Sequence, residues 1–272
     1  MTTLAPARAL ASTRRAAAPP LGWGVHDSLT MIGRCLRRST RELDMLLMSV
    51  MMPVTILLMF VYVFGGTIDS GGGYVNYVVP GIIVLCVGFG SSSTAVAVAS
   101  DMTGGIMTRF RTLPIHPSSV LTGQVVASVA RNTVATLTVF AVAVGIGFRP
   151  VAGPLQWLGV AGLLVLYVLA ITWIGVLTGL LASSPDAANG LSFAIIFLPY
   201  VSSAFVRPES MPRVLELVAR YQPITPVTDT LRGWLMGTPL GSEPWVALAW
   251  GIGLFVLARA ASVVAFRSRA PR

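Results

Sequence analysis

Six mostly apolar runs divide the chain, at about 45–64, 75–99, 120–147, 155–182, 188–206 and 244–266. A helix needs ~20 such residues to cross a bilayer core. The pattern therefore predicts an all-α membrane protein with six transmembrane helices in a domain over 45–266. Polar interruptions are short except in the tail before the first run, in residues 100–117 and in residues 207–243.

Ahead of the first run, residues 1–25 are rich in Ala, Pro and Arg and read as a disordered tail. Asp27 or Ser28 can then cap a helix over 26–44. At 100° per residue Leu29, Ile32, Leu36 and Leu43 fall on one side, with Arg34, Arg37, Arg38 and Arg41 opposite. That segment is predicted to lie in the membrane interface as an amphipathic helix. No small-residue cleavage site follows the first apolar run, so no signal peptide is expected.

Charge orients the spans. With the N-terminus inside, thirteen arginines collect on the inner side, five on the outer side, and Arg131 lies within a span. A bias of that size places both termini, including the short tail 267–272, in the cytoplasm. Arg131 has two readings: it snorkels to the inner headgroups, favoured by polar Thr122, Gln124 and Ser128 nearby, or it points into the bundle.

Composition narrows the chemistry. Only 11% of the 272 residues are charged and mean hydropathy is +0.78, against about a quarter charged in soluble domains. All 19 basic residues are arginine. Without lysine there is neither a phosphate-binding Walker A lysine nor a Schiff-base amine. His26 and His116 lie outside the spans, and the ten carboxylates are dispersed, so no catalytic, metal or cofactor-binding residues are assigned. Gly88-Phe-Gly-Ser-Ser-Ser93 lacks a histidine or acidic partner and reads as helix packing, as does Gly175-x-x-x-Gly179. Cys35 and Cys86 are expected to be free thiols. Met45, Met48, Met51, Met52 and Met59 in the first span suit a surface that accepts varied lipophilic molecules, or else are ordinary lipid-facing or packing residues; Pro53 is expected to kink that span.

Two polar stretches carry the functional signal. In Ser100–Pro117, Gly104-Gly105 frees the backbone, Arg109, Phe110 and Arg111 alternate charge and aromatic, and Pro114 and Pro117 stop any helix. Taken alone, this is a solvated loop whose arginines hold the topology. In residues 207–243, two short amphipathic stretches, 211–219 and 226–236, flank the breaker Tyr221-Gln-Pro-Ile-Thr-Pro226. They predict half-helices that dip into the outer leaflet, or else interfacial turns on a surface loop.

The pattern Gly-Ile-x-x-Arg-Phe-Arg-x-Leu-Pro at 105–114 closely resembles the cytoplasmic loop of ABC-2 type permeases, in particular the daunorubicin/doxorubicin exporter branch. Gln222-Pro-Ile-Thr-Pro-x-x-x-x-x-Leu-Arg232 looks like that family's signature ahead of its last span, and the amphipathic helix before the first span is similar too. The resemblance covers the chain from residue 27. It implies the permease subunit of an ATP-driven exporter in the bacterial cytoplasmic membrane, moving a lipophilic drug or lipid. The loop 101–117 would then be a coupling helix seated on a separate ATPase subunit, which binds the ATP and Mg; this chain binds no cofactor itself. Coupling residues would be Asp101, Ile106, Arg109, Phe110, Arg111, Leu113 and Pro114. External re-entrant helices would form a gate at Gln222, Pro223, Thr225, Pro226, Asp229 and Arg232. Implied partners are the ATPase, a second permease copy (identical or related) and membrane lipids, without nucleic acid. The chain departs from the family at Thr108, where related sequences often carry an acid, and in keeping only Asp101 of an acidic cluster. The rival readings are a secondary multidrug carrier and a membrane enzyme of lipid metabolism.

Overall fold

Why these residues make these helices is visible at their ends. The computed structural model describes Gly33 and residues 43–65, 73–104 and 117–268. Its elements are α1 (Leu43–Met59), continued by a π-helical turn over Phe60–Phe64, α2 (Tyr74–Thr103), α3 (Pro117–Gly145) and α4 (Pro154–Leu181). There follow α5 (Pro185–Phe197) with a 3-10 turn at Leu198–Val201, a 3-10 turn at Pro208–Ser210, α6 (Arg213–Tyr221), α7 (Ile224–Met236) and α8 (Glu243–Ser268). No strand occurs among the described residues. Pro154 and Pro185 open their helices where a missing N–H costs nothing. The Ser184 hydroxyl accepts from Ala187 N at 3.1 Å, and Gln156 Oε1 accepts from Gly153 N at 2.6 Å. Gly237 ends α7 in the left-handed region at φ 67°, which favours glycine.

The core is built around α2, whose residues 78–88 are all buried. It packs against α1, α3, α4, α5 and α7. Its approach to α4 depends on small residues: a Cβ on Gly175 would collide with Ser91, and one on Gly179 with the Ala95 carbonyl. Ser91 Oγ donates to the Ile171 carbonyl at 2.6 Å, so the glycine- and serine-rich stretch serves helix packing, as expected. Cys86 is a buried free thiol; Cys35 lies outside the described residues. Met51, Met52 and Met59 are exposed, in keeping with a lipid-facing surface, and Pro53 sits inside a continuous α1.

Side-chain pairings give the direction of each helix. Cys86 reaches the Ser49 carbonyl while Tyr74 and Phe60 both reach Phe205, so α1 and α2 are antiparallel. Asp101 pairs with Gln124 and Thr94 with Ser128, so α3 runs against α2. Ser91 and Ala95 meet Gly175 and Gly179, so α4 runs with α2. Ser92 pairs with Asn189 while Gly88 lies beside Ile196, so α5 runs against α2. Leu166 meets Gly251 and Trp173 meets Ser262, so α8 runs with α4. Directions therefore alternate through α1, α2, α3, α4, α5 and α8.

Among the described residues four helices, within α2, α3, α4 and α8, are long and apolar enough to cross a membrane. The first apolar run is helical over 43–64, 17 α-helical residues plus the five-residue π turn, and so keeps its expected length. The fifth does not: α5 has 13 residues before tightening into its 3-10 turn. At 1.5 Å per residue α5 alone covers only about 20 Å. The predicted interfacial helix 26–44 lies outside the described residues apart from Gly33, Leu43 and Asp44, and so do the tails 1–25 and 269–272.

Candidate functional site

A polar lock joins α2, α7 and the segment after α5, and Arg232 is its centre. One turn of α7 places Asp229 and Arg232 three residues apart, and the carboxylate accepts from Arg232 Nη1 at 2.5 Å. Arg232 Nη2 donates to the Ser203 carbonyl at 2.7 Å and its Nε to the Tyr77 carbonyl at 3.2 Å. The guanidinium also lies 3.9 Å above the Tyr77 ring. Ser203 Oγ donates to Asp229 at 2.7 Å, and Tyr77 OH donates to the Ser203 carbonyl at 2.9 Å. Burial pushes the Asp229 carboxyl above its ordinary range, against the pull of Arg232 and the hydrogen bond from Ser203. A planar fork reaches two carbonyls and a carboxylate from fixed directions while stacking on the Tyr77 ring, which is a reason for arginine at 232.

Beside the lock, Gln222 Nε2 donates to the Val201 carbonyl, and Thr225 Oγ1 donates to the Ala219 carbonyl at 2.5 Å while accepting from Ser203 N. Gln222, Thr225, Asp229 and Arg232 thus meet around the chain that leaves α5. Pro223 stands in the turn as expected. Pro226 does not: α7 already begins at Ile224, so Pro226 occupies its first turn, where the absent N–H has no partner to lose. The lock opens onto a cavity of about 430 Å³ lined by Tyr77, Ser203, Arg207, Glu209, Arg220, Asp229, Arg232 and Glu243, among others.

Of the candidate coupling residues, Ile106, Arg109, Phe110, Arg111, Leu113 and Pro114 lie outside the described residues. Asp101 is described, and it faces inward: it is buried and accepts from Gln124 Nε2 at 2.8 Å. That bond ties the last turn of α2 to the start of α3. Farther in, Thr94 Oγ1 donates to Ser128 Oγ at 2.7 Å, Ser128 lies 3.2 Å from Thr172 Oγ1, and Asn132 Nδ2 donates to the Ser128 carbonyl. Arg131 Nη2 donates to Thr94 Oγ1 at 3.1 Å, so this side chain turns into the bundle, not out to the headgroups.

Sequence reading missed Tyr77, Ser203 and this interior ladder. Gln124, Ser128 and Asn132 recur at i, i+4 and i+8, which puts them on one helix face. Gln124 and Ser128 are buried there, so they mark a packed interface and not a helix end standing in water. For Ser203 no local signal exists, because its partners are 26 and 126 residues away.

The family model of the ABC-2 type transporter matches residues 27–236, which takes in residues 105–116 and all of α7. A daunorubicin resistance ABC transporter permease protein, DrrB1 of Streptomyces coeruleorubidus, is 30% identical over 250 residues, covering 91% of this chain and 86% of its own. A probable doxorubicin resistance permease protein, DrrC of Mycobacterium tuberculosis, is 24% identical over 251 residues, covering 89% of each chain. With an all-helical bundle, long apolar helices and a match over most of its length, the chain belongs to the ABC-2 type transporter family, as a permease.

Proposed function

We propose that this chain is the permease subunit of an ATP-driven exporter that carries a lipophilic drug or lipid across the bacterial cytoplasmic membrane. The observation that carries the reading is the family match across 27–236, which includes both stretches that stand out in the sequence. The names of the two relatives, both drug-resistance permeases, support a lipophilic drug as cargo. Six alternating helices support six passes, with α5 as the short one. The end of the bundle where α1 starts and α2 and α8 end is the one flanked in sequence by the arginine surplus, which supports a cytoplasmic assignment.

In this reading ATP and Mg belong to a partner ATPase, since this chain has no lysine for a phosphate loop. The segment 101–117 couples the two subunits. Arg109, Phe110, Arg111 and Leu113 fill a groove on the ATPase, with Ile106 and Pro114 shaping the segment. Asp101 acts differently: its bond to Gln124 clamps the two legs from which the segment hangs, so that a push there moves α2 and α3 together. A second permease copy completes the pathway. At the far end, α6, α7 and the Arg232 lock form the external gate.

The test is Phe110→Ala with Leu113→Ala in cells that express the permease and its ATPase. An aromatic anchor flanked by arginines is hot-spot composition, where truncation costs about 2 kcal/mol or more. The expected result is loss of ATPase co-purification or of transport, with normal membrane insertion. Transport at the wild-type rate would overturn the coupling assignment. ATP hydrolysis by the isolated, contaminant-free chain would overturn the division of labour.

A further inference from the structure

The cavity beside the lock has a charge pattern that the gate alone does not use. Three arginines (207, 220, 232) and three carboxylates (Glu209, Asp229, Glu243) line it, so its formal charge is balanced. They are not equally engaged. Arg232 is committed to Asp229, and Arg220 to Glu216 at 2.8 Å, with Glu209 more distant at 3.9 Å. Arg207 has no ion pair or side-chain hydrogen bond among the described residues. Among the described residues Glu243 accepts only from Gly241 N, at 2.7 Å, and Glu209 is exposed at the rim. The cavity therefore offers one uncommitted guanidinium together with two carboxylates that have acceptor capacity left.

An apolar groove adjoins it. Trp245, Val246, Ala249 and Trp250 line a second hollow on α8, and Val246 belongs to both. Trp245 is 75% exposed, and the row continues down the same helix through exposed Ile252 and Val256. Residues 245, 249, 252 and 256 follow helical spacing, so they form one stripe leading away from the polar cavity. Exposed indoles beside a polar cavity at the end of a spanning helix are the usual furniture of a membrane interface.

We propose that this composite site holds a zwitterionic phospholipid of the phosphatidylethanolamine type, its phosphate on Arg207, its ammonium on Glu209 and Glu243, and an acyl chain along the Trp245 stripe. A purely anionic headgroup would face three carboxylates, and a purely cationic one three guanidiniums. A headgroup that carries both signs meets each with its opposite. The primary amine matters because it donates hydrogen bonds to carboxylates, whereas a trimethylammonium has no N–H to give. The inference needs only α8 in a bilayer; it is independent of cargo and of ATP coupling.

Tryptophan quenching tests it. The purified full chain is placed in phosphatidylcholine nanodiscs doped at equal mole fraction with brominated-chain phosphatidylethanolamine, phosphatidylcholine or phosphatidylglycerol. Selective occupancy predicts that the ethanolamine lipid is enriched about threefold to tenfold over the choline lipid, the range for one or two partly exposed charge-assisted bonds. The excess quenching should vanish in Trp245→Phe with Trp250→Phe, which locates it. It should fall in Arg207→Gln, and in Glu209→Gln with Glu243→Gln; those side chains are at the surface or rim. Equal quenching by the three lipids in the wild-type protein overturns the site, whatever the variants do. Quenching by phosphatidylglycerol equal to that by phosphatidylethanolamine, unaffected by the two glutamine substitutions, overturns the ammonium half and with it the proposal.

Discussion

Helices α6 and α7 flank one turn and read alike in sequence as short amphipathic pieces, yet the fold treats them oppositely. On α6, Val214, Leu215, Leu217 and Val218 are exposed and only Ala219 is buried. On α7, Ile224, Val227, Leu231 and Leu235 are almost fully buried, packed against α2, α4 and α8. What separates them is polar chemistry, not apolar content. The cations of α6 are at the surface, where Arg220 bonds to Glu216 in its own helix. The cation of α7 reaches two carbonyls on other elements. A short helix is drawn into a bundle when its polar groups find partners there, because a buried polar group without one costs more than the apolar surface returns. The structure thus makes α7 a core element and α6 an outer flap, where the sequence suggests a matched pair.

Chemical labelling would show the contrast most sharply. On a background without Cys35 and Cys86, Val218→Cys should react fully with a membrane-impermeant thiol reagent or be shielded only by lipid. Thr228→Cys should stay protected even in detergent. A symmetric re-entrant pair would instead return reactivity at both ends, and equal labelling of 218 and 228 in detergent would erase the distinction drawn here.

Stability should divide the same way. Leu231→Ala removes a fully buried side chain and is expected to cost about 2–5 kcal/mol. Leu217→Ala, half exposed, should fall within about 0.5 kcal/mol. Denaturant unfolding in a mild detergent measures both, and comparable losses would mean that α6 is packed as firmly as α7.

Arg232→Ala leaves the Ser203 and Tyr77 carbonyls and Asp229 short of a donor, for an expected loss of about 2–3 kcal/mol. Arg220→Ala, on the surface pair, should cost below about 1 kcal/mol. If Arg232→Lys restored full stability, the forked geometry would not be what matters.

The smallest effect is a pH dependence. Because burial raises the Asp229 carboxyl, the folded state holds its proton longer than the unfolded state does. Stability from this group is therefore present below the ordinary carboxylate range and declines as pH rises through the raised value. Asp229→Asn lacks that decline, so its stability relative to wild type should improve as pH rises above the ordinary carboxylate range. A difference that is flat or opposite in slope would place the carboxyl at or below its ordinary value.

Much of this was legible without coordinates. Long apolar runs with few charges dictate helices, since in hydrocarbon the backbone must satisfy its own hydrogen bonds. The Gly-x-x-x-Gly pair marks a close approach because small size alone permits it. The breaker within 221–226 ends one helix before the next begins because proline removes a backbone donor. Those properties are local, and a linear sequence states them fully. Other matters rested on which surfaces meet. Asp101 turned inward to Gln124, Arg131 chose Thr94 over the headgroups, and Tyr77 and Ser203 joined Arg232 across 155 and 29 residues. Each is a choice between water or lipid headgroups and a distant partner, and it is decided by the free energy of a bond between groups that only the folded bundle brings within 3 Å or so.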